Sequence, residues 1–184
     1  MSATAPVKQL LATPEPPELG PGPRAGVRSQ PELNTALEGV FRAMKLQPPN
    51  QILVRALVWL WHDHLDASHT ISQGIENTDG SLVHAIMHRR EPDYSNSKYW
   101  WRRVGKHPCF PEIARQVTDL LESKSERELL TKLVPRGEWD AFAFVDMCES
   151  SDGVMTSAKM SLVLREIQAI ESKVLLERLV AGTV

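Results

Sequence analysis

The sequence predicts an all-α fold, a single-domain helical bundle, from three observations. Apolar residues recur at three- and four-residue spacing in one stretch after another, prolines and glycines fall between those stretches, and alternating strand patterns are almost absent. With 42% hydrophobic and 24% charged residues in 184, the chain has the balance of one globular unit with a real core.

Taken in order, residues 1–30 are expected to be a disordered Pro/Gly-rich tail. Six of the 13 prolines lie in the first 23 residues, and such a composition buries too little to offset ordering entropy. Residues 31–184 form the expected helical domain. Pro31 opens a short helix to about Lys45, with Leu33, Ala36, Leu37, Val40 and Phe41 at helical spacing, and Pro48-Pro49 stops it. A long amphipathic helix is expected over 50–76, because Leu53, Leu57, Leu60, Trp61, Ile71 and Ile75 fall on one stripe. Asn77-Thr78-Asp79-Gly80 breaks it. A short helix carries His84 to Glu91, and Pro92 ends it.

A polar and aromatic stretch, Asp93 to Pro108, follows. Pro111 begins a helix through about Glu122, with Ile113, Val117, Leu120 and Leu121 on one face. Short helices are expected near 125–134 and 137–149, and a strong pattern from Met160 through Leu179 closes the chain in a helix over 156–180.

A net charge of -2 and a pI near 6.3 argue against a surface built for nucleic acid or an anionic membrane. The most apolar stretch, Gln51 to Trp61, is far shorter than the roughly 20 residues that span a bilayer. The prolines near the N-terminus do not fit a secretory signal, so a cytoplasmic protein is expected. Cys109 and Cys148 are too few for a disulfide framework and read as small core residues.

The main functional signal is histidine. All six, at 62, 64, 69, 84, 88 and 107, lie within 46 consecutive residues, and four of the five tryptophans lie between Trp59 and Trp101. Imidazole titrates near neutral pH and ligates metals, so this segment is the expected site. Two residues apart on a helix, His62 and His64 point about 200° from each other and cannot hold one ion together. His64 shares the apolar stripe and should face the core, whereas His62, Asp66, His69, Gln73 and Glu76 line the opposite, polar face.

His84, His88 and Glu91 at i, i+4 and i+7 have the best ligand-type spacing in the chain. Paired histidines of metal-binding helices have that spacing, but Ala85 stands where zincin proteases carry their catalytic Glu. A zinc site would need a third ligand, His64 or His69. The alternative is that the imidazoles bond carboxylates or a ligand directly. No metal ligand is assigned, and the cofactor stays open. His62-Asp63 does not make an HD-type phosphohydrolase, because no histidine precedes it.

From His84 to Pro108 the local net charge is +4, from Arg89, Arg90, Lys98, Arg102, Arg103 and Lys106 against Glu91 and Asp93. Guanidinium forks match carboxylate and phosphate oxygens, so a small anion is a reasonable guest, and pairing with nearby carboxylates is the competing use. Tyr94, Tyr99, Trp100 and Trp101 among these bases are a weak signal for nucleobase stacking, and nucleic acid is not the expected partner.

The runs His84-Ala85-Ile86-Met87-His88-Arg89-Arg90-Glu91 and Asn96-Ser97-Lys98-Tyr99-Trp100-Trp101-Arg102-Arg103-Val104-Gly105 are distinctive. Residues 58–112 resemble a mostly bacterial family in which HRRE-type and NxKYW-type runs recur. That family has no established reaction, so the resemblance implies one site in this segment and no catalytic role.

The expectation is therefore a small polar or anionic ligand held in a pocket, with hydrolysis or isomerisation as the chemistry. His84, His88 and Glu91 would be the acid–base or metal-binding groups. Arg89, Tyr94, Asn96, Arg102, Arg103 and His69 would bind the ligand. The alternative is a non-catalytic interaction domain whose histidines, arginines and carboxylates form a buried structural network.

Overall fold

A computed structural model describes residues 5–152 and 157–181. Among these, regular structure is entirely helical: α1 (Ala5–Leu10), α2 (Gln30–Met44), α3 (Pro48–Trp61), α4 (Leu65–Ser72), α5 (Thr78–Arg90), α6 (Tyr94–Val104), α7 (Phe110–Ser123), α8 (Arg127–Leu133), α9 (Ala141–Ser151) and α10 (Ala158–Ala181). The start of the closing helix expected at residue 156, and residues 1–4 of the expected tail, lie outside the described residues.

Two helices form the centre. α5 is buried at every position from Gly80 to Arg90, and α10 buries residues on almost all sides between Val163 and Val180. α10 packs against α1, α3 and α7, while α5 lies between α3, α4 and α6. One continuous apolar core runs through all of them, including Cys109 and Cys148. No described helix is long and apolar enough to cross a membrane.

The expected helix over 50–76 is two helices. α3 ends at Trp61 in a Schellman turn, in which Asp63 N–H donates to Leu60 O (3.2 Å) and His64 N–H donates to Trp59 O (2.9 Å). Asp63 occupies the left-handed position of that turn at φ 66°. Aspartate tolerates this conformation better than most side chains, so no glycine announces the break. Asp66, Gln73 and Glu76 are exposed as the polar face requires, but the turn re-aims α4 and breaks the stripe: His62 is buried instead of on that face, and His64 becomes the half-buried N-cap of α4 rather than a core residue.

Residues 5–29 depart from the expected disorder. Val7, Leu10 and Leu11 are buried in the core. The proline-rich segment after them is clamped through its carbonyls: Arg165 donates to Pro16 O (2.5 Å), Gln168 to Glu18 O (2.9 Å) and Arg90 to Gly20 O (3.1 Å). Arg24 then pairs with the carboxylate of Asp63, whose other arginine partner is Arg90 at 2.7 Å. Thus side chains 39 to 150 positions away provide what local composition lacks.

The stretch after Pro92 is helical as well. Asp93 caps α6 by accepting from Asn96 N–H (3.1 Å), and Ser97 lets α6 approach α5 closely enough to donate to Ala85 O at 2.8 Å. The Asn77–Gly80 break is the N-terminus of α5, where the Asn77 side chain accepts from Gly80 N–H at 2.8 Å. Gly80 is required there: a Cβ would lie 2.6 Å from Ile75 O and 2.5 Å from its Cγ2.

Candidate functional site

The turn at Asp63 has a direct consequence for the histidines, because α4 now lies against α5. His69, on the last full turn of α4, meets His84 and His88 from α5. Their ring centroids are 4.9 Å and 5.1 Å from that of His69, and 4.6 Å from each other. One nitrogen from each of the three lies within 4.8 Å of the others. His84 and His88 are buried, while His69 keeps partial contact with solvent.

Neighbouring side chains fix the tautomers. His88 Nδ1 lies 3.2 Å from Glu91 Oε2, so it donates to the carboxylate and leaves the Nε2 lone pair facing inward. That Nε2 is 2.9 Å from His84 Nε2 and 3.1 Å from the Asn96 amide nitrogen, so its single lone pair is shared between these two N–H donors. His84 Nδ1 is left buried and without a partner. Trp100 stacks on the other face of His84 at 3.9 Å, and Arg103 covers the Trp100 ring at 5.2 Å.

Burial penalises the imidazolium form. It is the largest cause pushing His84 down to about 3, with His88 and His69 adding like-charge repulsion. His88 is also lowered by burial, against the opposing pull of Glu91. Both rings are therefore neutral at pH 7 and offer lone pairs rather than positive charge.

The sequence-predicted residues divide accordingly. His69, His84, His88, Glu91 and Asn96 converge, and Arg103 stands at the edge on Trp100. Arg89 does not join them. It is fully buried, bonded to Glu171 through two nitrogens (2.5 Å and 3.3 Å) and covered by Phe144 at 4.4 Å, so its charge is already neutralised, although its Nε has no partner. Tyr94 faces Asp152 and Cys148, and burial followed by Asp152 raises its phenol. Arg102 lies over Phe142 at 6.0 Å. On α6, Tyr94 and Arg102 are on turns that face away from α5's histidines, a partition that linear charge counting does not resolve.

The remaining histidines are structural. His62 donates from Nε2 to Leu10 O (2.8 Å) and accepts the Arg28 N–H at Nδ1 (3.1 Å). His64 donates to Arg28 O (2.8 Å), and His107 contacts Asp79 at 2.9 Å. Trp100 is the wall residue that sequence did not place, although its adjacency to Trp101 implied that one of the pair leaves the core. Trp101 is the buried one.

No protein-family model matches the chain, and no curated protein or solved structure matches it.

Proposed function

We propose that this helical protein binds a small polar or anionic molecule at the His69–His84–His88 cluster and transfers a proton there, as a hydrolase or isomerase does. The observation that carries the reading is the His88–Glu91 pair. A neutral imidazole whose Nδ1 proton faces a carboxylate at 3.2 Å keeps its basic lone pair on Nε2, and a ligand that displaces the His84 and Asn96 donors would meet an oriented general base. Asn96 and the partly exposed His69 supply hydrogen bonds to a ligand, and Arg103 supplies positive charge at the rim. Arg89, Tyr94 and Arg102 have no part in it.

A non-catalytic interaction domain is the second reading. The buried, charge-neutralised Arg89–Glu171 and Arg24–Asp63–Arg90 groups favour it, as do the exposed Tyr99 and Phe142. The histidine cluster differs from those groups in carrying rings that are neutral at pH 7 and in reaching solvent through His69, whereas Arg89 and Glu171 are both wholly buried.

Thermal shifts with inorganic phosphate and short dicarboxylates test the proposal. Stabilisation of the wild type that is lost in His88→Ala, with the melting temperature of the free variant little changed, supports it. Failure of every probe, together with unfolding of His88→Ala, favours the structural reading.

A further inference from the structure

We infer that His69, His84 and His88 form a binding site for one divalent transition-metal ion of the zinc class, with the fourth position open to water or to an oxygen of the bound molecule. This rests on the reading that the cluster is the functional site, and it names what the site holds.

Three observations lead to it. The Nε2 atoms of His84 and His88 face each other at 2.9 Å, and one nitrogen from each of the three rings falls within 4.8 Å of the others. Ligand nitrogens at about 2.1 Å from a tetrahedral zinc stand about 3.4 Å apart. The α5 pair must therefore open by about half an ångström, the His84 proton must move from Nε2 to its unpartnered Nδ1, Asn96 must release His88 Nε2, and His69 must swing inward. His69 is the ring with room to move, since it alone of the three is partly exposed.

The second observation is the support behind a ligand. Glu91 holds His88 Nδ1 at 3.2 Å, with Asp93 Oδ2 at 4.0 Å. A carboxylate behind a ligating imidazole fixes the ring, directs Nε2 at the ion and supplies compensating negative charge. The third is ligand chemistry. Three imidazoles, with no cysteine among the described residues joining the group, match zinc, cobalt, nickel or copper rather than calcium or magnesium. Three protein ligands, instead of four, leave the open position of a catalytic zinc site rather than a closed structural one. His84 and His88 come from one helix that is buried at every position from Gly80 to Arg90, so two of the three ligands are positioned before the ion arrives.

The test is titration of full-length, tag-free, chelator-stripped protein with Zn²⁺ by calorimetry and with Co²⁺ by visible absorption. One equivalent bound, with the d–d bands of a low-coordinate cobalt site, is expected. His84→Ala and His88→Ala should each abolish it, and His107→Asn should leave it intact. Because the alanine variants remove buried rings, Glu91→Gln provides a variant at a partly exposed position, expected to weaken zinc about 10- to 100-fold. No binding by the wild type, or binding that survives both histidine variants, overturns the inference. Repeating the phosphate and dicarboxylate shifts with and without zinc separates the two proposals. Anion stabilisation without metal binding leaves the ligand site standing and removes the metal, whereas zinc binding without any anion effect keeps the metal and removes the anionic ligand.

Discussion

Arg89 and Glu171 form a wholly buried ion pair that ties α5 to α10, the two helices at the centre of the fold. Neither charge reaches water, so each depends on the other. Arg89→Met alone should cost about 3–5 kcal/mol, because it strands a buried carboxylate. Replacing both by apolar residues of similar volume should recover most of that. Urea denaturation of the two single variants and the double variant measures the coupling; additive losses would show that the pair is not a unit.

Asp63 has two tasks that substitution can separate. It occupies a left-handed backbone position and neutralises Arg24 and Arg90. Asp63→Gly keeps the backbone easy and removes the charge, so stability should still fall by about 3 kcal/mol or more, with buried guanidiniums left unmatched. A loss under about 1 kcal/mol in the denaturation midpoint would mean that the α3–α4 turn does not depend on the arginine clamp. The same variant should loosen residues 20–28 in amide hydrogen exchange.

Gly80→Ala should destabilise by about 1–3 kcal/mol, the range for forcing an extra carbon into a packed site. The cause is the Ile75 carbonyl 2.6 Å from the new Cβ, which is backbone and cannot rotate away. Thermal unfolding checks this. Stabilisation, the usual effect of alanine inside a helix, would contradict the packing.

Acid should weaken the fold before carboxylates titrate. His62, His84 and His88 are all held below the ordinary imidazole range, in each case chiefly by burial. Near pH 6.5 the unfolded chain takes up protons that the folded chain refuses, so the unfolded state gains as pH falls. Stability of chelator-treated protein should therefore drop between about pH 7 and pH 5, by at most about 1.4 kcal/mol per pH unit for each histidine. Denaturation midpoints that stay flat or rise over that window would contradict the buried neutral state.

Helices with a single apolar stripe were legible in the sequence. α2 and α7 show it through Leu33, Leu37 and Phe41 and through Ile113, Val117 and Leu121. The break at Asp63 was not, because aspartate gives weaker warning of a left-handed residue than glycine does. For α6 the apolar positions are sparse, and the capping Asp93 was the available signal. The docking of residues 5–29 depends on Arg90, Arg165 and Gln168, whose distance along the chain hides them from any local pattern. Similarly, i, i+4 spacing revealed His84 and His88 as partners and His69 stood beside them as a candidate, but the choice of His69 over His64 as the third ring needed the turn at Asp63. Arg89 looked identical to its neighbours in charge and differs only in facing α10.

The histidines themselves report most directly on whether the cluster is the binding site, since each of the six ring signals is a separate probe. Long-range ¹H–¹⁵N spectra of the imidazoles should be recorded while inorganic phosphate or a short dicarboxylate is added, with zinc present and absent. The account predicts that His69, His84 and His88 shift together and saturate, while His62, His64 and His107 stay still. Shifts confined to the latter three, or no saturable change in any ring, would contradict it.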